Sequence, residues 1–241
     1  MVSIDWEGAV NARRVNERLV RMARREWLTP KGWAAALSEG FATVVDLRSP
    51  YEWETVRDGD HELPPALRER IRLLPTPTED PEHPEFKEFL APYLDHPDGY
   101  ATYLRLFGQR VASALLAVAE APGGVIVHCS AGRDRTGLVV ALGQKLAGWD
   151  DEDIVDGYAA AAVGINELHR TNPHPIETYL EGEEWEAWLG ERVTALRAFL
   201  AEIDTERLLA EAGLGRADLE AIRRRFARPT VSNPYRFGEV R

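Results

Sequence analysis

A single cysteine, Cys129, stands in the 241-residue chain, so no intramolecular disulfide can form and no cysteine-based zinc site exists. An unpaired thiol suits a reducing compartment, and cytoplasm is the expected location. No stretch approaches the length of apolar sequence that spans a bilayer. Residues 1–7 hold no basic region leading into an apolar run, so no secretory signal is expected. Basic residues are the minority, 29 Lys and Arg against 40 Asp and Glu, for a formal charge of −11. Nucleic-acid affinity comes from Lys and Arg clustered across a face, so a nucleic-acid partner is not expected. The local exception is Arg13, Arg14, Arg18, Arg21, Arg24 and Arg25. This run reads as a solvated basic helix over residues 11–26, with recruitment of an anionic lipid or an acidic partner as the alternative. His169 and His174 lack a thiolate or carboxylate pair at metal-ligand spacing, and neither a metal nor another cofactor is expected. Repeats and low-complexity segments do not stand out.

What is present concentrates in ten residues, His128-Cys129-Ser130-Ala131-Gly132-Arg133-Asp134-Arg135-Thr136-Gly137. Gly123-Gly124 and the β-branched run Val125-Ile126-Val127 precede them, and Leu138, Val139, Leu142 and Leu146 follow at helical spacing. The decapeptide is therefore predicted to turn from a buried parallel strand into a helix. Such a turn collects anions: loop N–H groups converge as a nest, the helix N-terminus adds partial positive charge, and Gly132 and Gly137 let the backbone come close.

Each side chain then has a candidate role. Nest, helix dipole and arginines all favour the thiolate, making Cys129 the candidate nucleophile. The planar guanidinium of Arg135 can take two equatorial oxygens of a transferring phosphoryl group, which a lysine cannot reproduce. Ser130, Ala131, Gly132, Arg133 and Thr136 complete the expected phosphate cradle, the Thr136 hydroxyl facing the sulfur or the attacking water. His128 is expected to orient the loop from behind. Asp134 is the candidate general acid, with an alternative as an acceptor that ties the loop into shape. Asp80, Asp95 and Asp98 are its competitors.

This segment resembles the HCxxGxxRT signature of the protein-tyrosine-phosphatase superfamily. It is most similar to the bacterial tyrosine/dual-specificity group whose loop reads HCxAGKDRTG, with Arg133 in place of the lysine. Val44-Val45-Asp46-Leu47-Arg48-Ser49 followed by Glu52 or Glu54 is similar to that group's DLRs-x-x-E strand. Asp153–Tyr158 resembles its helix after the loop, and Ala212-Gly213-Leu214 with Leu219 and Ile222 its C-terminal helical pair. Asn11-Ala12-Arg13 resembles the group's opening, although Arg14 and Val15 depart from it. The likeness covers most of residues 4–226. Well-known members draw their acid from a Trp-Pro-Asp loop, which this chain lacks; the resemblance implies Asp134 instead.

The remaining sequence supports a three-layer α/β domain with a short, mainly parallel sheet and helices on both faces. At 44% hydrophobic, residues 1–241 can bury one large core and are read as a single phosphatase domain, with 228–241 as a surface or loose tail. Strands are expected at 43–47, 71–74 and 125–127, and helices at 30–39, 86–94, 103–115, 154–168, 183–200 and 204–212. Residues 84–107 are expected either to pack as core or to form a lid. Asp46 and Arg48 should sit at the end of the strand beside the loop as a bracing ion pair, or with Arg48 reaching substrate.

The leading functional reading is a metal-independent phosphomonoesterase with a phosphocysteine intermediate. Expected substrates are phosphotyrosine and also phosphoserine, phosphothreonine or phosphoinositides, since Arg133 keeps a second positive charge at the rim. A catalytically silent phosphate-binding module of the same fold is the alternative, and sulfur or arsenate chemistry a third class. A silent module would normally have lost the cysteine or the arginine, and the third class normally needs a second thiol.

Overall fold

Six short strands make one sheet: β1 (Val2–Ser3), β2 (Arg13–Asn16), β3 (Leu19–Met22), β4 (Phe41–Asp46), β5 (Arg72–Pro75) and β6 (Gly124–His128). The computed structural model that shows them describes residues 2–57, 59–90, 92–172, 174 and 176–229. Their order is β1-β2-β3-β6-β4-β5. The pairings β3-β6, β6-β4 and β4-β5 are parallel, and β1 and β2 add an antiparallel edge. All five residues of β6 are buried, as a strand covered on both faces requires. Its side chains alternate: Val125 and Val127 join the larger core and Ile126 the smaller one on the other face.

The ten helices of the described residues are divided unequally between those faces. The smaller core packs Trp33 and Ala36 of α1 (Pro30–Ser38) against Val20, Val44 and Ile126. Thr29 caps α1 by accepting from the Gly32 amide at 3.2 Å. Two short helices, α2 (Pro50–Glu54) and α3 (Pro65–Arg68), lie between β4 and β5. The larger core is built with α4 (Pro84–Phe89), α5 (Tyr100–Glu120), α6 (Asp134–Leu146), α7 (Asp151–Thr171), α8 (Gly182–Glu202), α9 (Thr205–Glu211) and α10 (Arg216–Arg225). The three-layer α/β architecture expected from the sequence is the one observed.

Two elements differ from expectation. Residues 11–26 form the β2-β3 hairpin and a 3-10 turn (Arg25–Trp27), not a basic helix. The arginine spacing mimics a helical face, but Leu19 to Met22 lie fully inside the sheet between β2 and β6. Arg21 and Arg24 are buried rather than solvated. Residues 86–94 do not form one helix either: α4 ends at Phe89, and Pro92, without an amide hydrogen, cannot continue it. Of the expected tail, Arg228 pairs with Asp150 at 2.6 Å and Asp153 at 2.8 Å, while 230–241 lie outside the described residues.

Candidate active site

Strand β6 delivers His128 to the carboxyl edge of the sheet, and α6 begins at Asp134, so Cys129–Arg133 form the strand-to-helix turn anticipated from the sequence. Gly132 has φ +71°, and a Cβ there would sit 2.3 Å from the Met22 carbonyl oxygen, so glycine is required on both counts. The loop is held from behind by the N-terminal hairpin. The Arg24 amide donates to the Ser130 carbonyl at 2.9 Å and Asn11 Nδ2 to the Ala131 carbonyl at 3.0 Å. Arg21 Nη2 donates to the carbonyls of Gly132 at 2.8 Å and Arg133 at 3.2 Å. Four successive carbonyls thus point into the hairpin. Because N–H and C=O of a planar peptide point in opposite directions, the amides of residues 131–134 face away from it, the arrangement of an anion nest.

Arg21 completes this support at a cost. It is wholly buried, and burial first, then the nearby Arg13, lowers its pKa to about 10, so it remains a cation at neutral pH. Asn11, at φ +55°, is held by Arg13 Nη1, which donates to Asn11 Oδ1. Arg13 and Arg21 of the basic run are therefore internal scaffolding for the loop, while Arg14 pairs with Glu39 near the surface and Arg18 is exposed.

Asp46 and Arg48 occupy the expected place. Asp46 pairs in register with His128, and Arg48 donates to it through Nε at 2.9 Å and Nη2 at 2.7 Å. His128 is fully buried, with Nδ1 2.9 Å from the Cys129 carbonyl oxygen and Nε2 3.4 Å from Asp46 Oδ2. Burial works against ionisation of Asp46, but His128 and Arg48 hold its carboxyl well below the usual range. Arg48 is 1% exposed and points to Asp46 and Glu26, so it braces the loop instead of reaching into the cleft.

Cys129, Ser130, Ala131, Arg133, Asp134 and Arg135 open onto one cleft of about 580 Å³. Arg135 is fixed by two glutamates: Nη1 donates to Glu52 Oε2 at 2.7 Å and to Glu79 Oε1 at 2.8 Å, and Nη2 donates to Glu52 Oε1 at 2.7 Å. This leaves the Nε hydrogen and the second Nη2 hydrogen, which lie along one edge of the guanidinium, for a phosphate. Glu52 is itself fixed by the Ser49 amide at 2.9 Å at the start of α2. Burial alone would raise its pKa, but the Arg135 charge and hydrogen bonds from Arg135 and Ser49 bring it down to about 2. Glu79 behaves oppositely: burial pushes its carboxyl up and Glu52 adds to this, against the pull of Arg135. Glu79 arrives because Thr76 and Thr78 donate amides to the carbonyls of Asp46 and Leu47, carrying the chain past the end of β4.

Asp134 is 5% exposed at the first turn of α6. Its Oδ2 accepts from Arg133 Nε at 2.7 Å and its Oδ1 from the Tyr158 hydroxyl at 3.1 Å. Burial raises its pKa despite the opposing Arg133 charge. The competitors stand elsewhere: Asp80 caps the Glu82 amide at 3.0 Å, Asp95 and Asp98 are exposed, and none of the three lines the cleft. Thr136 Oγ1 is buried without a hydrogen-bond partner at the base of the loop. Arg133, expected at the rim, is instead buried: it forks onto Glu177 at 2.7 and 3.2 Å and lies over Trp188. Phe86, Pro92, Tyr93 and Leu94 supply one wall of the cleft, so part of the 84–107 segment borders it.

Cys129 and a fixed Arg135 thus share one cleft on a strand-to-helix loop. The model of the tyrosine phosphatase family matches residues 7–228, and the chain belongs to that family. It is similar to the triple specificity protein phosphatase PtpB of Mycobacterium tuberculosis, 28% identical over 193 residues, 69% of this chain and 68% of that protein. A tyrosine-protein phosphatase of Nostoc commune is 46% identical over 54 residues, 22% of this chain and 16% of that protein. Among solved structures, a cysteine-to-serine variant of P. aeruginosa TpbA in complex with pTyr is 18% identical, with a TM-score of 0.45. That similarity covers 88% of this chain and all of that one.

Among the described residues no helix is long and apolar enough to cross a membrane, and no cluster of three or more His, Cys, Asp or Glu side chains is arranged to hold a metal ion. No local pattern marks Glu79 or Glu177, because each reaches the site through tertiary packing, while Tyr93 and Tyr158 stand in segments the sequence marks as helical without a role for the side chain.

Proposed function

We propose that this protein hydrolyses phosphomonoesters, phosphotyrosine above all, through a phosphocysteine intermediate and without a metal. The observation that carries the reading is the shared cleft of Cys129, Asp134 and Arg135, with Arg135 held so that one edge of its guanidinium is unoccupied. Family membership and the names of the relatives support the same reading.

In the first step the Cys129 thiolate attacks phosphorus as the ester P–O bond breaks. Asp134 gives its proton to the departing oxygen, and Arg135 with the loop amides holds the equatorial oxygens. In the second step water attacks phosphorus and the S–P bond breaks, returning the thiolate. The water's proton passes to Asp134, releasing inorganic phosphate. Tyr158, whose own pKa is raised well above the usual value by burial and by Asp134, stays neutral and keeps its hydroxyl donating to Asp134 Oδ1.

We take residues 1–241 as one phosphatase domain, supported by a single sheet whose two faces carry both cores. A phosphorylated protein in a reducing, cytoplasmic setting is the partner that fits thiol chemistry. Phosphoserine, phosphothreonine and phosphoinositides with a single ring phosphomonoester are further candidate substrates. Phosphate release from phosphotyrosine, phosphoserine and phosphothreonine peptides and from phosphoinositides, with chelator present, tests the reading. Phosphotyrosine turnover that survives chelation is expected; turnover lost to chelator and restored by metal overturns it.

A further inference from the structure

Three side chains form a wall between the cleft of Cys129 and a second cavity of about 310 Å³: Tyr93, Arg133 and Glu177 line both. Glu177 is the middle of that wall. Its Oε2 accepts from Arg133 Nη1 at 2.7 Å, and its Oε1 accepts from Arg133 Nη2 at 3.2 Å and from the Tyr93 hydroxyl at 3.0 Å. The remaining Nε of Arg133 is taken by Asp134 at 2.7 Å, and Trp188 lies 5.2 Å from the guanidinium carbon. Burial would raise the Glu177 pKa, but Arg133 and the hydrogen bonds from Arg133 and Tyr93 hold it below the usual carboxylate range, so its charge persists at neutral pH.

A guanidinium fork grips a carboxylate and a phosphate in the same two-pronged manner. Arg133 is the loop cation beside Arg135 that a second phosphate on the substrate would seek, and its fork is already filled by an anion of this chain. An incoming second phosphate would meet the Glu177 carboxylate at that point, and like charges brought together discriminate strongly between ligands. We propose that Glu177 is a specificity-determining residue: it occupies the second-phosphate position at Arg133 and restricts the cleft to substrates with one phosphate. This rests on the phosphatase reading above.

The test compares kcat/KM for two synthetic peptides of one sequence, one carrying phosphotyrosine alone and one carrying an adjacent phosphothreonine as well. Dephosphorylation of the tyrosine is the readout. The wild type is expected to cleave the doubly phosphorylated peptide about tenfold or more less efficiently than the single one. Glu177→Gln, which keeps the shape and removes the charge, should raise the double-to-single ratio by about tenfold or more. Glu177→Asp should keep the wild-type preference. An unchanged ratio in Glu177→Gln overturns the inference. So does a wild type that cleaves the doubly phosphorylated peptide as well as the single one or better, a result that needs no variant to fold. A wild type that cleaves neither peptide overturns the phosphatase reading, and this inference with it.

Discussion

Glu52 grips Arg135 by both Nη atoms, each at 2.7 Å, across 83 positions of sequence. The pair fixes which edge of the guanidinium faces the cleft. Glu52→Gln should loosen that edge and lower kcat/KM by on the order of a hundredfold, the cost of misplacing a binding group by about an ångström. Steady-state kinetics on a phosphotyrosine peptide checks this.

The same pair sets an acid limit on stability. The carboxyl of Glu52 is depressed to about 2 in the folded protein, so its stabilisation is present above the ordinary glutamate pKa and is lost as pH falls through the folded value. Urea unfolding of the wild type should therefore weaken between about pH 4.5 and pH 2, by on the order of 3 kcal/mol from this group. Glu52→Gln should show a shallower decline over that window, and parallel curves for the two proteins would refute the linkage.

Cys129→Ser should abolish turnover yet retain binding of a phosphate analogue by calorimetry, since the loop amides and Arg135 remain. Arg135→Lys should lose on the order of a thousandfold in kcat, because a point charge cannot replace two parallel hydrogen bonds to the transition state. Turnover persisting in Cys129→Ser would eliminate a phosphocysteine route.

Asp134→Asn should slow alkyl phosphates, whose leaving oxygens are basic, by about ten- to ten-thousandfold more than an activated aryl phosphate. The raised pKa of Asp134 keeps its proton to higher pH than a free aspartate would, and loss of that proton should lower the rate on the alkaline side. In Asp134→Asn the part of that alkaline decline due to Asp134 should vanish. Equal losses across leaving groups would assign Asp134 to holding the loop instead.

Gly132→Ala places a side chain at φ +71° against the Met22 carbonyl, and the backbone conformation alone costs about 1–3 kcal/mol. A lowered melting temperature and loss of turnover are expected together. Gly108→Ala, in α5 with open space around it, should be neutral or stabilising by up to about 1 kcal/mol. Equal effects at the two glycines would contradict this account of the loop.

The strand, loop and helix from Val125 to Leu146 were legible because their signals are local: a β-branched run, glycines, then apolar residues at helical spacing. The position of Asp46 and Arg48 is legible for the same reason, at the end of the strand that pairs with β6. The basic run misled because arginines at 14, 18, 21 and 25 follow a helical period, while Arg21 in fact lies in a strand and donates to the loop carbonyls. Its role depends on backbone acceptors 111 and 112 positions away, which no window of sequence contains. Arg133 was assigned to the rim since its neutralising partner, Glu177, lies 44 positions downstream beyond a helix boundary. Glu79 sits in a proline-rich segment that reads only as loop; the threonine amides that guide it to Arg135 are ordinary in sequence.

The hairpin that turns the loop carbonyls away is itself fastened to the far end of the chain. Asn16 Nδ2 donates to the carbonyl of Arg225 at 2.8 Å across 209 positions, and Arg225 Nη1 in turn reaches the carbonyl of Gly123 at 2.9 Å, one residue before β6. Closing so long a span carries an entropic cost that the packed chain must offset. During synthesis the loop sequence emerges well before α10. The strand that leads into the loop is thus supported by a residue 102 positions downstream of it, so the motif does not carry its own support.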